Sequence, residues 1–341
     1  MNSDLIHTNF KLNGISFSRD SLISHLKQNK EYLNFLISWF DEKDYIVAKT
    51  SGSTGPPKFI RLKKSDMISS AKLTANYFKL TTNSKVINCL PIDYIAGKMM
   101  LVRSLVNGWD LSLFPISSEP IKEISLNYDF IALTPMQLEK SLHNINNIKT
   151  VIVGGNYVNE ELKAKVLKLK ANVYETYGMT ETITHVAVKC LSRNENKFSA
   201  LPGVNFIEIE GCLAIEASHL SIDTITTNDV VTMHSSEKFT WIGRKDFIIN
   251  SGGVKINPED IEKKLTKFYS NRLVISSMND KLLGQKVVLV FEKKIPKNHE
   301  EFFIHLKQFE KPKEIFLLDK FPITNGKINR LRIHKLIHKS S

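Results

Sequence analysis

The sequence predicts an α/β fold, with a large amino-terminal domain built on a mostly parallel sheet and a small α+β domain at the carboxy terminus. Three observations carry this expectation. Strand-length apolar runs alternate with helical patterns from Tyr45 to Tyr177, the signature of parallel strands joined by helical crossovers. From about Lys189 to Thr240 helical periodicity disappears, and alternating segments such as Phe206-Ile-Glu-Ile-Glu210 predict antiparallel strands in a β-rich subdomain. After Arg244 the texture changes again, to short helices and strands reaching the end of the chain. The expected domains are residues 1–245 and 246–341.

Taken in order, Ser21 to Phe40 carries apolar residues at helical spacing, among them Leu22, Leu26, Leu33 and Leu36. Tyr45-Ile-Val-Ala48 reads as a strand end, and Phe59-Ile-Arg-Leu62 as a short apolar-basic segment. Ser65 to Tyr77 reads as a helix with Ser65-Asp66 as its N-cap. Strands are expected at Val86–Leu90, Trp109–Phe114, Phe130–Leu133, Thr150–Val153 and Asn172–Glu175. Helices are expected at Gly97–Val106, Pro135–Leu142 and Glu160–Leu169. Tyr94, Met99, Met100 and Trp109 read as core, and His185 as a packed or solvated histidine.

Composition narrows the function classes. A chain of 341 residues with 42% hydrophobic and 24% charged residues buries a large core. No apolar run is long enough to cross a bilayer, and the first residues show no secretory signal. Three widely spaced cysteines, Cys89, Cys190 and Cys212, fit reduced thiols in a cytoplasm better than a disulfide framework or a zinc site. The net charge of +12 raises a nucleic-acid reading, but the lysines are spread along the chain without a basic-aromatic cluster. Handling anionic small molecules, or a plain lysine bias, accounts for the charge equally well.

The segment Lys49 to Lys58 is the centre of the chemical reading. Thr50, Ser51, Ser53 and Thr54 offer hydroxyls, Gly52 and Gly55 let the backbone approach an anion, and Lys58 adds a cation. This suits a loop wrapped on a polyphosphate. It is not a Walker A loop, because Pro56 and Pro57 stand where that pattern needs Lys-Ser/Thr. Gly154-Gly155 follows a buried strand, at the carboxyl end where α/β sheets bind ligands. Tyr177 offers a ring to stack on a base, while Thr180 and Glu181 are oxygen donors suited to Mg²⁺. Asp229 can bind the vicinal hydroxyls of a ribose, and Lys327 sits on a Gly-containing turn near the end.

In order and together, these segments, with Trp241–Glu262 and Phe321–Arg330, resemble the adenylate-forming superfamily of acyl- and aryl-CoA ligases, luciferases and peptide-synthetase adenylation domains. The resemblance covers roughly residues 45–335. It implies ATP, Mg²⁺ and coenzyme A, with Thr50 to Lys58 as the phosphate loop and Gly155 and Tyr177 in the adenine pocket. It further implies Thr180 and Glu181 at the phosphates and magnesium, and Asp229 and Arg244 on the ribose. Asp246 falls on the hinge of a mobile carboxy-terminal domain, and Gly252 and Gly253 on the loop beside the pantetheine arm. Lys327 matches the lysine bridging the substrate carboxylate and the α-phosphate.

Little sequence precedes the phosphate loop, which is similar to the compact o-succinylbenzoate–CoA ligases of menaquinone biosynthesis. Leu90–Gly97, Ala132–Leu138 and Tyr177–Thr182 carry that similarity. One departure concerns the acyl pocket: relatives place a histidine shortly before the first segment's Gly, where this chain has Tyr94-Ile-Ala and then Lys98 after Gly97. Gly97, Lys98 and Gly154 are the expected substrate positions, with Lys98 or Arg103 available for a second substrate carboxylate. The alternatives are a ligase for another aryl or short-chain acid, a free-standing enzyme loading a carrier protein, and a non-catalytic nucleotide-binding protein on the same fold.

Overall fold

The computed structural model describes residues 5–49, 58–269, 271–324 and 327–339. Its organising element is an eleven-stranded sheet. Across it lie Asp229–Ser235, Lys238–Arg244, Phe198–Ala200, His185–Cys190, Asn172–Gly178, Ile148–Val153, Tyr128–Leu133, Lys85–Asn88, Asp110–Leu113, Lys11–Leu12 and Ile15–Ser16. From Asn172–Gly178 through Lys11–Leu12 neighbouring strands pair in parallel. On the other side of Asn172–Gly178 every pairing is antiparallel. The expected α/β class, with a β-rich extension and further small sheets, is what the chain forms.

The parallel strands read as apolar runs because both of their faces are covered. Alternation sends Val86, Phe130, Ala132 and Ile152 into one core and Ile87, Ile131, Val151 and Val153 into the other. Helix Ile95–Asn107 lies in the first core, with residues Met99 to Val106 buried. It packs against helix Lys64–Tyr77. Gly97 lets it reach the preceding loop, since a Cβ there would stand 2.2 Å from the carbonyl oxygen of Pro91.

Beyond Arg244 the core residues change company. Ile249 to Ile337 form two clusters of their own on the faces of a five-stranded sheet. Val287, Leu289 and Phe291 point to one face, and Val288 and Val290 to the other. All three cysteines are buried as free thiols. Burial pushes the Cys89 thiol up to about 12. No helix among the described residues is long and apolar enough to cross a membrane.

Several local expectations are corrected. The first helical pattern is two helices, Arg19–His25 and Lys30–Phe40, because Asn29 leaves helical geometry and its side chain caps Tyr32 N–H. Helix Lys64–Tyr77 starts a residue earlier than expected, with Lys63 at its cap and no side-chain cap bond. Asp66 instead accepts from the backbone and hydroxyl of Ser221, at 3.1 and 2.7 Å, tying this helix to a distant loop. The Pro135 helix ends at Lys140 and passes into a 3₁₀ segment, Leu142–Asn147. Tyr94 is 44% exposed rather than core, whereas Met99, Met100 and Trp109 are fully buried.

The Gly97 contact is backbone against backbone, so it cannot relax by a rotamer change. Gly97→Ala is expected to destabilise the fold by at least about 2 kcal/mol, as overpacking of a tight site does. Urea denaturation followed by circular dichroism measures it, and a loss below about 0.5 kcal/mol would mean that the close approach is not structural.

Candidate active site

The parallel strands end together at one edge, and there the chain turns sharply. After Val153 the N–H of Gly154 donates to Leu133 O at 3.1 Å, and Gly155 takes a positive φ of 87°. The Thr176 hydroxyl donates to Val153 O at 3.1 Å, fixing the Gly154 turn against the next strand. A Cβ on Gly154 would lie 2.7 Å from that hydroxyl oxygen.

The neighbouring strand, Asn172–Gly178, carries Tyr177 as its next-to-last residue. Its ring is flanked by Phe239 at 5.1 Å, edge-on, and by Phe198 at 5.9 Å. The phenol donates to Asp229 Oδ2 at 2.5 Å. Burial, then the Asp229 charge, hold that phenol well above its ordinary value, so it remains a donor. Asp229 is 6% exposed and stands in register with Arg244 on the paired strand. Its backbone N–H donates to the Thr227 hydroxyl at 3.0 Å, which anchors the turn carrying it. Arg244 Nη1 lies 4.0 Å from Asp229 Oδ1, and its Nη2 donates to Asp246 Oδ2 at 2.8 Å. Residues distant in sequence thus form one connected polar chain: Tyr177, Asp229, Arg244 and Asp246.

Next to it the chain reverses between Gly178 and His185. A Cβ on Gly178 would stand 2.2 Å from Thr184 O, so the reversal needs glycine there. Thr182, fully buried, accepts from Met179 N at 2.9 Å, and its hydroxyl reaches the Met179 and Thr184 carbonyls. Ile183 is held at φ 64°, a conformation costly for a β-branched residue. This turn presents Thr180, 9% exposed, and the half-buried Glu181. No cluster of three or more His, Cys, Asp or Glu side chains able to hold a metal occurs among the described residues. A magnesium ion carried on phosphates needs only one or two protein oxygens, which a hydroxyl and a carboxylate fit.

On the other flank stands helix Ile95–Asn107. The Lys98 ammonium donates to the carbonyls of Ile92 and Asp93, at 2.7 and 2.9 Å. Burial pushes it below its ordinary value. One turn further, Arg103 is 1% exposed and donates to the Thr184 hydroxyl at 2.9 Å, with His185 Nδ1 at 3.5 Å. Its Nε has no partner, and no carboxylate pairs with it among the described residues. Burial lowers its guanidinium to about 9. His185 is 4% exposed, and burial and then Arg103 hold it neutral.

Thr50, Ser51, Gly52, Ser53, Thr54 and Gly55 lie outside the described residues. Lys58 is exposed just before strand Phe59–Lys63. Gly252 and Gly253 form a turn with φ of 59° and 83°, and Gly252 N–H donates to Leu283 O at 2.8 Å. No hydrogen bond among the described residues joins that turn to Tyr177 or Asp229. Lys327 lies on the short strand Lys327–Ile328.

A profile described as AMP-binding enzyme matches residues 18–207. The chain belongs to the AMP-binding enzyme family. A 2-succinylbenzoate–CoA ligase of Haemophilus influenzae is 26% identical over 265 residues, 71% of this chain and 58% of that protein. This chain therefore spans little more than half the length of that relative. A solved acyl-CoA synthetase (AMP-forming)/AMP-acid ligase II-like protein from Dyadobacter fermentans is 33% identical. The match covers 91% of this chain and 94% of that one, with a TM-score of 0.60. An o-succinylbenzoate coenzyme A synthetase of Bacillus subtilis, solved with ATP and magnesium, is 18% identical and shares the fold. Its TM-score is 0.75, over 93% of this chain and 82% of that one.

In this AMP-binding enzyme, sequence reasoning missed residues that come from the small carboxy-terminal unit. Helix Pro258–Leu265 brings Lys263 over the Tyr157 ring at 5.4 Å. Its Glu259 Oε2 is buried without a partner. Burial raises the Glu259 carboxyl from 4.5 to about 7; Arg330 and Lys263 oppose the rise, while Glu262 and Asp229 add to it. Only the Pro-Glu after Asn257 hinted at a helix start, and nothing local signals the burial.

That carboxyl gives a pH prediction with a definite sign. Its native value is raised, so it contributes stability below pH 4.5 that is lost as pH rises through about 7. Glu259→Gln should therefore gain on the wild type between those limits, by at most about 3 kcal/mol. Urea titrations of both proteins at pH 5, 6, 7 and 8 measure the difference, and a pH-independent difference would contradict the assignment.

Proposed function

We propose that this chain is an ATP-dependent acid–CoA ligase that makes a CoA thioester through an acyl-adenylate, with o-succinylbenzoate as its acid. A carboxylate is a poor electrophile, so it must first gain a leaving group. Its oxygen attacks the α-phosphorus of ATP and pyrophosphate departs. The CoA thiolate then attacks the acyl carbon and AMP leaves. Little proton transfer is needed, so positioning and charge stabilisation supply the rate.

The residues divide accordingly. Asp229, with Oδ2 held by Tyr177, keeps Oδ1 for a ribose hydroxyl, and Arg244 stands beside it. Thr180 and Glu181, with the hydroxyls of Thr50 to Thr54 and Lys58, hold the phosphates; bound magnesium would neutralise the departing pyrophosphate. Lys327 offsets the repulsion between the substrate carboxylate and the α-phosphate. Residues 1–245 and 246–341 act as two domains, the second turning about Asp246 to exchange Lys327 for the Gly252-Gly253 loop during thiol attack.

The observation that carries the choice of acid is Arg103. A buried guanidinium without an anion is costly, and its Nε is unmatched. A second carboxylate on the substrate supplies what is missing, and o-succinylbenzoate has one. Lys98, engaged by two carbonyls, leaves that task to Arg103. The name of the Haemophilus relative agrees with this acid.

Arg103→Met exchanges a buried charge for an apolar chain, so stability should hold or rise. The KM for o-succinylbenzoate should rise at least tenfold, about 1.4 kcal/mol, with the KM for ATP hardly changed. ATP–pyrophosphate exchange across a panel of aryl and aliphatic acids tests the reading directly. Equal use of 4-phenylbutanoate by the wild type would remove the dicarboxylate assignment. Lys327→Ala should lower adenylation at least a hundredfold, about 2.7 kcal/mol, and spare thioester formation from supplied acyl-adenylate.

A further inference from the structure

Lys327 stands on a ribbon too small to place itself. Strands Ile323–Thr324 and Lys327–Ile328 pair through two residue pairs and, among the described residues, join no larger sheet. A lone hairpin of this size is unstable in water. Its bonds are mostly internal: Asn329 donates from its backbone to Pro322 O at 2.8 Å and from its side chain to Thr324 Oγ1 at 2.9 Å. These shape the ribbon without locating it.

Phe321 and Ile328 pack with Val288 and Val290, and Phe321 N–H donates to Glu292 Oε1 at 2.7 Å, which holds the ribbon to the sheet. Its tie to a helix comes from Arg330, three residues after Lys327. The guanidinium meets Glu262 of helix Pro258–Leu265 through both carboxylate oxygens, with Nη1 to Oε1 at 2.7 Å and Nη2 on Oε2. Glu262 is 7% exposed, and the same Oε1 accepts from Ile275 N at 2.7 Å. One carboxylate therefore joins the helix, strand Leu273–Asp280 and the chain leaving the ribbon. Arg330 also packs over the ring of Phe247 at 5.8 Å, one residue beyond Asp246. A forked, charge-assisted pair in a sheltered site is both strong and directional.

The same helix faces the nucleotide side of the site. Asn257 donates to Ile242 O, and Lys263 lies over Tyr157, next to the Gly154-Gly155 turn. Whatever fixes the ribbon to this helix fixes Lys327 relative to that side.

We propose that Glu262 and Arg330 are positioning residues for adenylation, locking the strand that bears Lys327 onto helix Pro258–Leu265 and the hinge-side Phe247 so that helix and lysine arrive as one body. The inference rests on the role given above to Lys327. Small displacements of a charge-stabilising group cost large factors in rate, so loosening the couple should act on turnover rather than on ATP affinity. Thioester formation uses the site after Lys327 has left, and should be spared.

The test uses the full chain with ATP, o-succinylbenzoate and its separately prepared acyl-adenylate. Arg330→Met and the milder Glu262→Gln are compared with Lys327→Ala in both half-reactions, with melting curves for each. The expected result for the first two is a fall of at least tenfold in kcat for pyrophosphate exchange. KM for ATP should stay within twofold and thioester formation within threefold. Arg330→Lys should recover only part of the rate, because an ammonium cannot engage both oxygens as the fork does. A parallel loss of both half-reactions, following a loss of melting temperature, would overturn the inference by making the couple purely structural. Undiminished exchange in Arg330→Met and Glu262→Gln, with Lys327→Ala inactive, would overturn it alone. Full exchange in Lys327→Ala would overturn the underlying reading of the lysine as well.

Discussion

The candidate site hangs on the hydrogen bond from Tyr177 to Asp229. Tyr177 stands near the end of the last parallel strand, while Asp229 opens a strand at the far antiparallel edge of the same sheet. The strands between them also carry the connection, through backbone pairing, the Phe198–Phe239 stack and the contacts of both rings with Tyr177. A phenol and a carboxylate at 2.5 Å, both sheltered, fix where the two halves of the sheet meet on the ligand side. The Arg244 and Asp246 contacts then extend that placement to the start of the carboxy-terminal unit.

The reversal after Gly178 shows what the placement demands of the backbone. Thr180 and Glu181 must project at the strand end while the chain returns directly as an antiparallel neighbour. Only a residue without a Cβ fits at Gly178, and Ile183 accepts a conformation that a β-branched side chain ordinarily avoids. The fully buried Thr182 hydroxyl secures the turn from inside. Strain of this kind persists only where surrounding contacts over-determine it.

The parallel half was legible in the sequence because its strands are buried on both faces and appear as continuous apolar runs. The candidate site was legible only as a set of separate motifs, since glycines, hydroxyls and paired charges mark turns at strand ends. Geometry between motifs was not. Nothing local distinguishes Lys98, spent on two carbonyls, from Arg103 one turn later, which lacks a counter-ion among the described residues. Asn29 looked like one more polar helix residue, yet its side chain starts a second helix. Asp66 looked like a cap and serves a loop 155 residues away. Strands of two residues, such as Lys11–Leu12, carry too little pattern to be seen.

The buried thiols open a practical route. Cys89, Cys190 and Cys212 are all buried, and the Cys89 sulfur, in an apolar core, would have to ionise against a value near 12. Reagents that seek thiolates therefore meet a nearly silent surface. A single new cysteine at Leu282, 93% exposed beside the Gly252-Gly253 turn, would take a fluorescent or spin label selectively without first removing the native ones. A second at exposed Met136, at the start of the helix after Leu133, would provide the other end of a molecular ruler. The native chain, unaltered in its own cysteines, is thus ready for distance measurements during turnover.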